Sequence, residues 1–474
     1  MFLPAAIDPA KGIDAVFSFV ETLTKVDDRG SAKPFLLATL PTRKDATHWV
    51  LDLKPNVTFQ NGHPMTATTV AAAMNREVKL SDAGKAALPG ATFTATGPLQ
   101  VTVDTGTPQP LLPYDLADRA FAVYDEPMVA AAGSAPNALA GKGVFTAPYA
   151  LTSVDTRGMQ LVAYDKYWQG KPALGGVAVT LVPDAQARAA AVESGQVDVA
   201  DGANEPDVVQ LTKGRSDVKL QLSNVPLLRL NMYLNPSTAP FNDVAVRRAV
   251  LMAINYAELG SRFTAGTGEP ATGIFPSSYP LTVSTQKTDL AQARSLLDAA
   301  GWTGGSGGVR SKDGQRLNLT LLTYNERPVM KPLSIGIQTM LKQVGINVRI
   351  ASQPYDPKMY DDAKKWNLAL YNDYSISPTG APDAYLSQLF DTHSSLNYWH
   401  IADPQLDTQL AALPKATDRK TALAAAQQSI WNDAYMATVS FVKDGSLVGK
   451  NWQSYVPGDG YQQQEWTWQT APGS

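Results

Sequence analysis

Trp49-Val-Leu-Asp-Leu-Lys-Pro-Asn-Val-Thr-Phe-Gln-Asn-Gly-His-Pro-Met-Thr-Ala-Thr-Thr-Val70 reads as a strand, a tight turn and a capped helix. Val50, Leu51 and Leu53 follow an aromatic residue and predict the strand. Asn61-Gly62 is a strong turn signal, because glycine reaches positive φ without a steric penalty. Thr66 then offers its hydroxyl as the N-cap of a helix through Ala71-Ala72-Ala73-Met74.

Working outward, the 474 residues leave room for two or three domains, and a charged fraction of 18% with 44% hydrophobic residues is that of a globular protein with sizeable cores. A net charge of -3 offers no basic footprint for nucleic acid. No run of about 18 apolar residues is present, so no transmembrane helix is expected. The start, Met1-Phe2-Leu3-Pro4-Ala5-Ala6-Ile7-Asp8-Pro9, has no charged n-region followed by a long apolar h-region and reads as no signal peptide. The absence of cysteine excludes disulfides, thiolate catalysis and cysteine-ligated metal sites.

Further along, Leu99 to Val103 alternates like a half-buried strand, and so does Met159 to Ala163. Val177 to Val182, a helix from Asp184 to Ser194 and Gly195 to Ala200 predict a parallel βαβ unit. Leu227-Leu-Arg-Leu-Asn-Met-Tyr-Leu-Asn235 is followed by Pro240-Phe241-Asn242-Asp243, where Asn242 or Asp243 can cap an amphipathic helix with the stripe Val246, Ala249, Val250, Ala253 and Ile254. A helix from Leu290 to Ala300 stops at Gly301. Leu317 to Tyr324, a helix with the stripe Leu333, Ile337, Met340, Leu341 and Val344, and Ile346 to Ile350 predict a second βαβ unit. Trp366 to Tyr371 is a further strand, and a helix from Ala422 to Trp431 precedes an apolar segment, Thr438 to Val442.

Two of these segments carry a resemblance. Leu53, Lys54, Val57, Phe59, Gly62, Pro64, Thr66, Ala67 and Val70 fall in register with the signature of family 5 extracellular solute-binding proteins, the peptide, nickel and opine receptors of ABC importers. Nearly two hundred residues later, Pro240-Phe241-Asn242-Asp243 with Arg247 resembles the second hallmark of that family. The order of elements fits over nearly the whole chain. One departure is Val144 to Ala147, which loosens a Gly-Thr-Gly-Pro-Tyr segment; another is Asp165, near the usual Asn of an Asn-x-x-Tyr-Trp element.

The resemblance implies an α/β, two-lobed periplasmic-binding-protein type II fold with an extra subdomain in the first lobe and a hinge of two crossing strands. It places lobe I in residues 1–227 and 441–474, with the subdomain inserted at about 36–165, and lobe II in 228–440. It implies an export signal or a lipobox cysteine upstream of Met1, a periplasmic or extracellular location, and membrane contact only through a lipid anchor. The expected partners are a small-molecule or peptide ligand and an ABC permease with its ATPase; a monomer without a cofactor is expected.

No catalytic constellation stands out. There is no Gly-x-Ser-x-Gly elbow and no His-Glu-x-x-His, and Gly304-Gly305-Ser306-Gly307-Gly308 lacks the Lys-Ser/Thr of a P-loop. A receptor needs aromatic walls and a few fixed polar groups instead. Arg119, in Leu116-Ala-Asp-Arg-Ala-Phe121, stands in an Arg-x-Phe context similar to the anion-binding arginine of nickel-chelate receptors; the alternative is a surface pairing with Asp115 or Asp118, worth under about 1 kcal/mol. Tyr371, Asn372 and Thr379 mark the segment Tyr371 to Tyr385, whose Thr379-Gly380-Ala381-Pro382 looks closer to nickel and metallophore receptors than to the Asp-Pro form of peptide receptors; the alternative is an ordinary turn. Tyr398, Trp399 and His400 cluster in Asn397-Tyr-Trp-His400; if extended, Tyr398 and Trp399 alternate, so at most one faces a cleft. Phe17 offers an apolar wall or a core residue. His393 and His400 are the weak metal candidates, with surface positions as the plainer reading. Arg247 is expected to make a structural salt bridge.

These features point to a receptor that closes around its ligand by hinge motion, carrying a metal chelate, nickel complex or opine-like metallophore. The alternative within the family is an oligopeptide. From other classes, a two-domain hydrolase lacks a nucleophile–base pair, and a binding module feeding a signalling partner would share this sequence.

Overall fold

A computed structural model describes residues 19–27, 30–133, 138–202, 206–327, 329–374, 382–416, 418–457 and 466–473. In chain order the elements used below are β1 (Thr42–Arg43), β2 (His48–Asp52), α1 (Ala67–Leu80), β3 (Thr92–Gly97), β4 (Gln100–Asp104), α2 (Leu112–Asp115), β5 (Tyr149–Asp155), β6 (Gly158–Ala163), β7 (Gly176–Thr180), α3 (Ala185–Glu193), β8 (Val199–Ala200), β9 (Val218–Leu234), α4 (Val244–Met252), β10 (Gly268–Pro270), β11 (Asn318–Tyr324), α5 (Met330–Lys342), β12 (Asn347–Gln353), β13 (Leu368–Tyr374), α6 (Pro382–Phe390), α7 (Arg419–Asn432) and β14 (Met436–Gly449).

The signature stretch folds as its residues direct. In β2, Trp49 and Leu51 point inward and are buried, as is Leu53 just beyond it. Gly62 sits at φ +89°, and its N–H donates to the Phe59 carbonyl at 2.8 Å. Thr66 caps α1: the Thr69 N–H donates to its Oγ1 at 3.2 Å, and the Thr66 N–H donates to Thr69 Oγ1 at 3.0 Å. That reciprocal capping box satisfies two helix N–H groups that would otherwise lack partners. One face of α1, with Val70, Ala73 and Met74, lies in the core under the sheet β1–β2–β4–β3.

Two large cores divide the described residues. The first runs from Phe19 to Leu161 and is joined by Val448, Trp452, Tyr455 and Trp466. The second runs from Leu230 to Val442. A small third cluster, with Ala189, Val192, Val208, Val218 and Leu447, lies where the long strands enter the first lobe. The main sheet has the order β8–β14–β9–β13–β11–β12, with β10 also on β14.

β9 and β14 are the elements common to both lobes. They pair antiparallel from Val218↔Gly449 to Tyr233↔Met436, with register shifts between Leu222 and Pro226, Pro226 and Leu228, and Leu230 and Asn231. Pro226 cannot donate to the ladder, so the pairing breaks there and the strands can bend. These are the two crossing strands of the hinge.

In the second lobe β11 pairs parallel with both β12 and β13, with α5 as the crossover between β11 and β12. That is the second expected βαβ unit. The first is corrected: β7 closes a three-stranded antiparallel sheet with β6 and β5, whereas β8 pairs antiparallel with β14 in the main sheet. Strand and helix patterns are local; which sheet a strand joins is set by distant partners. Asp184 does cap α3, accepting from the Ala187 N–H at 2.7 Å.

Arg247, on α4, is also corrected. Its guanidinium donates to backbone carbonyls, to Phe241 O at 2.5 Å and to Asp433 O at 3.0 and 2.7 Å, rather than to a carboxylate. It ties the start of α4 to the end of α7, and the Tyr435 ring lies 5.3 Å from its charge.

Candidate ligand site at the inter-lobe cleft

Parallel strands direct their C-terminal ends at the crevice where α/β proteins bind ligands. In the second lobe these are the ends of β11, β12 and β13. Tyr324, the last residue of β11, is buried; its hydroxyl donates to Asn372 Oδ1 and accepts from the Asn372 N–H at 3.2 Å. Burial keeps that hydroxyl protonated well above the usual tyrosine range. Beyond β12 comes Tyr355, 40% exposed, with its ring 5.2 Å from Tyr324 and 6.3 Å from Tyr371. Its N–H donates to Glu326 Oε1 at 2.9 Å. Tyr371 is half-buried on β13 and packs edge-on against Tyr360 and Trp399. Tyr398, also half-buried, lies nearly parallel to Tyr360 at 6.1 Å. Tyr355, Tyr371 and Tyr398 thus form a partly exposed tyrosine wall on a buried aromatic base.

Trp399 belongs to that base. It is fully buried, stacked on Tyr233 with ring centroids 3.6 Å apart and an angle of 4°. His400 adopts φ +59°, and its Nε2 lies 2.8 Å from the Tyr360 carbonyl oxygen. A carbonyl cannot donate, so Nε2 carries the proton and is occupied. His393 is exposed, with its backbone N–H on Asp391 Oδ1 at 2.8 Å.

The hinge end of β13 holds the charge. Asp373 is in register with Arg229 of β9, and Arg229 Nη2 stands 4.0 Å from Asp373 Oδ2. Arg229 is fully buried; Nη1 donates to the Ile274 carbonyl at 2.8 Å, and the guanidinium carbon lies 4.3 Å from the Tyr385 ring. Its Nε and Nη2 make no in-range hydrogen bond. The Tyr385 hydroxyl is held protonated by burial and hydrogen-bonds to Asp373. Sequence reasoning missed Arg229, although one charge inside the apolar run Leu227 to Leu234 was the signal available.

The remaining sequence candidates fall elsewhere. Arg119 opens a single 3-10 turn, Arg119–Phe121, whose Phe121 is buried and whose Ala120 N–H donates to Asp118 Oδ1 at 2.8 Å. The side chain of Arg119, and all of Phe17 and Thr379, lie outside the described residues. No three His, Cys, Asp or Glu side chains converge to hold a metal ion among the described residues, and none of the described helices is long and apolar enough to cross a membrane.

The first lobe meets the second beside this site. Tyr114 of α2 stands 5.7 Å from the Arg419 guanidinium carbon of α7, and Arg419 forms a two-point ion pair with the fully buried Asp383 of α6, its Nε donating at 3.2 Å to Oδ2.

With this geometry in place, residues 32–397 match the family described as bacterial extracellular solute-binding proteins, family 5 middle. The chain belongs to that family. Its members bind small ligands or peptides and work with ABC importers. The nickel-binding protein NikA of Staphylococcus aureus is 25% identical over 403 residues, covering 84% of this chain and 78% of that protein. The probable D,D-dipeptide-binding periplasmic protein DdpA of Escherichia coli is 27% identical over 421 residues, covering 84% and 76%. The crystal structure of NikA from Brucella suis in complex with Fe(III)-EDTA shares the fold, with a TM-score of 0.81 at 21% identity over 96% of this chain and 94% of that one. This family 5 protein is therefore a solute-binding receptor with the type II two-lobed fold.

Proposed function

We propose that this receptor captures an anionic metal chelate, such as a nickel complex or an opine-like metallophore, between residues 1–227 with 441–474 as lobe I and 228–440 as lobe II, and hands it to an ABC permease with its ATPase without chemical change. The observation that carries the ligand reading is the Arg229–Asp373 pair. A lone carboxylate at the mouth of lobe II would recruit a peptide's α-ammonium group. Here the carboxylate already faces a buried arginine and a tyrosine hydroxyl, which removes most of its pull on a cation. The relative named for nickel and the one bound to Fe(III)-EDTA support the same reading. The tyrosine wall of Tyr355, Tyr371 and Tyr398 supplies the flat apolar contact that an organic chelator needs. Arg119 is the proposed anion partner from lobe I. The chain acts as a monomer on the periplasmic or extracellular side of the membrane.

A thermal-shift screen tests this. A ligand that binds only the folded chain raises its melting temperature by mass action. Ni(II) with excess L-histidine is expected to raise it and a mixture of di- to pentapeptides to leave it unchanged. The reverse pattern would show an oligopeptide receptor.

A further inference from the structure

One cluster outside the proposed ligand wall joins the two lobes directly. On the lobe I side, α2 carries Tyr114 and Asp115. It is fixed to the hairpin of Thr24–Val26 and Ala32–Pro34 by Thr24 Oγ1, which donates to the Pro113 carbonyl at 2.7 Å. The turn of that hairpin holds Gly30 at φ +71°. On the lobe II side stand Tyr279, Asp383 at the start of α6 and Arg419 at the start of α7.

Two contacts cross the gap. The Tyr114 ring faces the Arg419 guanidinium at 5.7 Å. Asp383 holds that guanidinium through two hydrogen bonds, so its orientation is set within lobe II. The second contact is steric. A Cβ built on Gly30 would lie 2.0 Å from Tyr279 Cε2, so the Tyr279 ring rests directly on the bare glycine backbone. An aromatic from each lobe thus docks on a prepared surface of the other.

We propose that Tyr114 and Gly30 of lobe I, with Tyr279, Arg419 and Asp383 of lobe II, form a clasp that stabilises the closed arrangement of the lobes independently of the ligand. Every member of the clasp lies off the tyrosine wall. The clasp contacts run from one lobe to the other, so under this proposal hinge opening breaks them and they add to the closed state alone, which is the condition for shifting a two-state equilibrium. A cation–π contact of this kind shifts the closed-to-open ratio by roughly three- to tenfold. The clasp therefore raises affinity for any ligand by raising the fraction of chains already closed.

Small-angle X-ray scattering of the ligand-free full chain tests this without reference to which ligand binds, so its outcome is separate from that of the chelate reading. Tyr114→Phe keeps the ring and is expected to scatter like the wild type. Tyr114→Ala and Tyr114→Leu remove the π face and are expected to show a larger radius of gyration, with unchanged circular dichroism. Tyr114→Leu keeps an apolar side chain of useful bulk, so the comparison stands even if the alanine variant folds poorly. A radius of gyration for Tyr114→Leu equal to that of the wild type, whether both are compact or both extended, overturns the clasp.

Discussion

Arg229 and Asp373 occupy opposed positions on neighbouring antiparallel strands, with Nη2 4.0 Å from Oδ2, and Arg229 has no solvent exposure at all. Removing one member of a buried pair leaves the other charge unmatched, whereas removing both does not. Arg229→Met is expected to destabilise the chain by about 3 kcal/mol in urea denaturation. The Arg229→Met/Asp373→Asn double variant is expected to lose less than the sum of the two single variants. Strict additivity would mean the two groups do not interact.

Trp399 and Tyr398 are neighbours in sequence with different surroundings. Trp399→Ala empties a stacked core position against Tyr233 and is expected to lower stability by about 3–5 kcal/mol. Tyr398→Ala removes a half-buried ring and is expected to change stability by no more than about 1.5 kcal/mol while weakening ligand binding. Parallel melting and binding measurements check both. A tryptophan variant that melts like the wild type would contradict its place in the core.

Arg247 makes three hydrogen bonds to two backbone carbonyls that end α7 and precede α4. Arg247→Met keeps the aliphatic bulk and loses those donors, so about 2–3 kcal/mol of stability should go, with no change in ligand affinity once the variant is folded. An affinity change at unchanged stability would mean that this residue acts on the ligand.

Asp115 is buried, and that desolvation raises its carboxyl pKa to about 7, opposed by the hydrogen bond from Gln109 and helped by Asp118 and Asp383. A raised carboxyl pKa means the folded state holds its proton more tightly than the unfolded state does. The folded chain is therefore favoured at low pH by this group, and that advantage is lost as pH rises from about 4 to about 7. Glu77, also raised to about 7 by burial, acts in the same direction. Asp115→Asn removes the penalty. Its melting temperature relative to the wild type should climb between pH 4 and pH 8, by the equivalent of about 4 kcal/mol. A constant difference across that range would contradict the assignment.

The scaffold was legible in the sequence where local chemistry dictates it. Asn61-Gly62, the Thr66 cap, the Asp243 cap and the β11–α5–β12 crossover all rest on short-range signals. The pairing of β7 and β8 was not legible, because each strand is completed by residues far away: β8 meets β14 roughly 250 positions later. The site was legible only in part. The aromatic cluster near Tyr398 showed itself as composition, but which ring is base and which is wall depends on Tyr233 and Tyr360, brought in from other strands and turns. Arg229 escaped notice because its partners, Ile274, Asp373 and Tyr385, come from three separate segments.

Isothermal titration calorimetry of the purified chain, with preformed Ni(II)–L-histidine in one experiment and a tripeptide mixture in another, tests the central claim most directly. Saturable heat is expected with the chelate, weakened roughly tenfold in Tyr355→Ala by loss of a ring contact and its area, and no saturable heat with the peptides. Saturable binding of peptides, with none of the chelate, would contradict it.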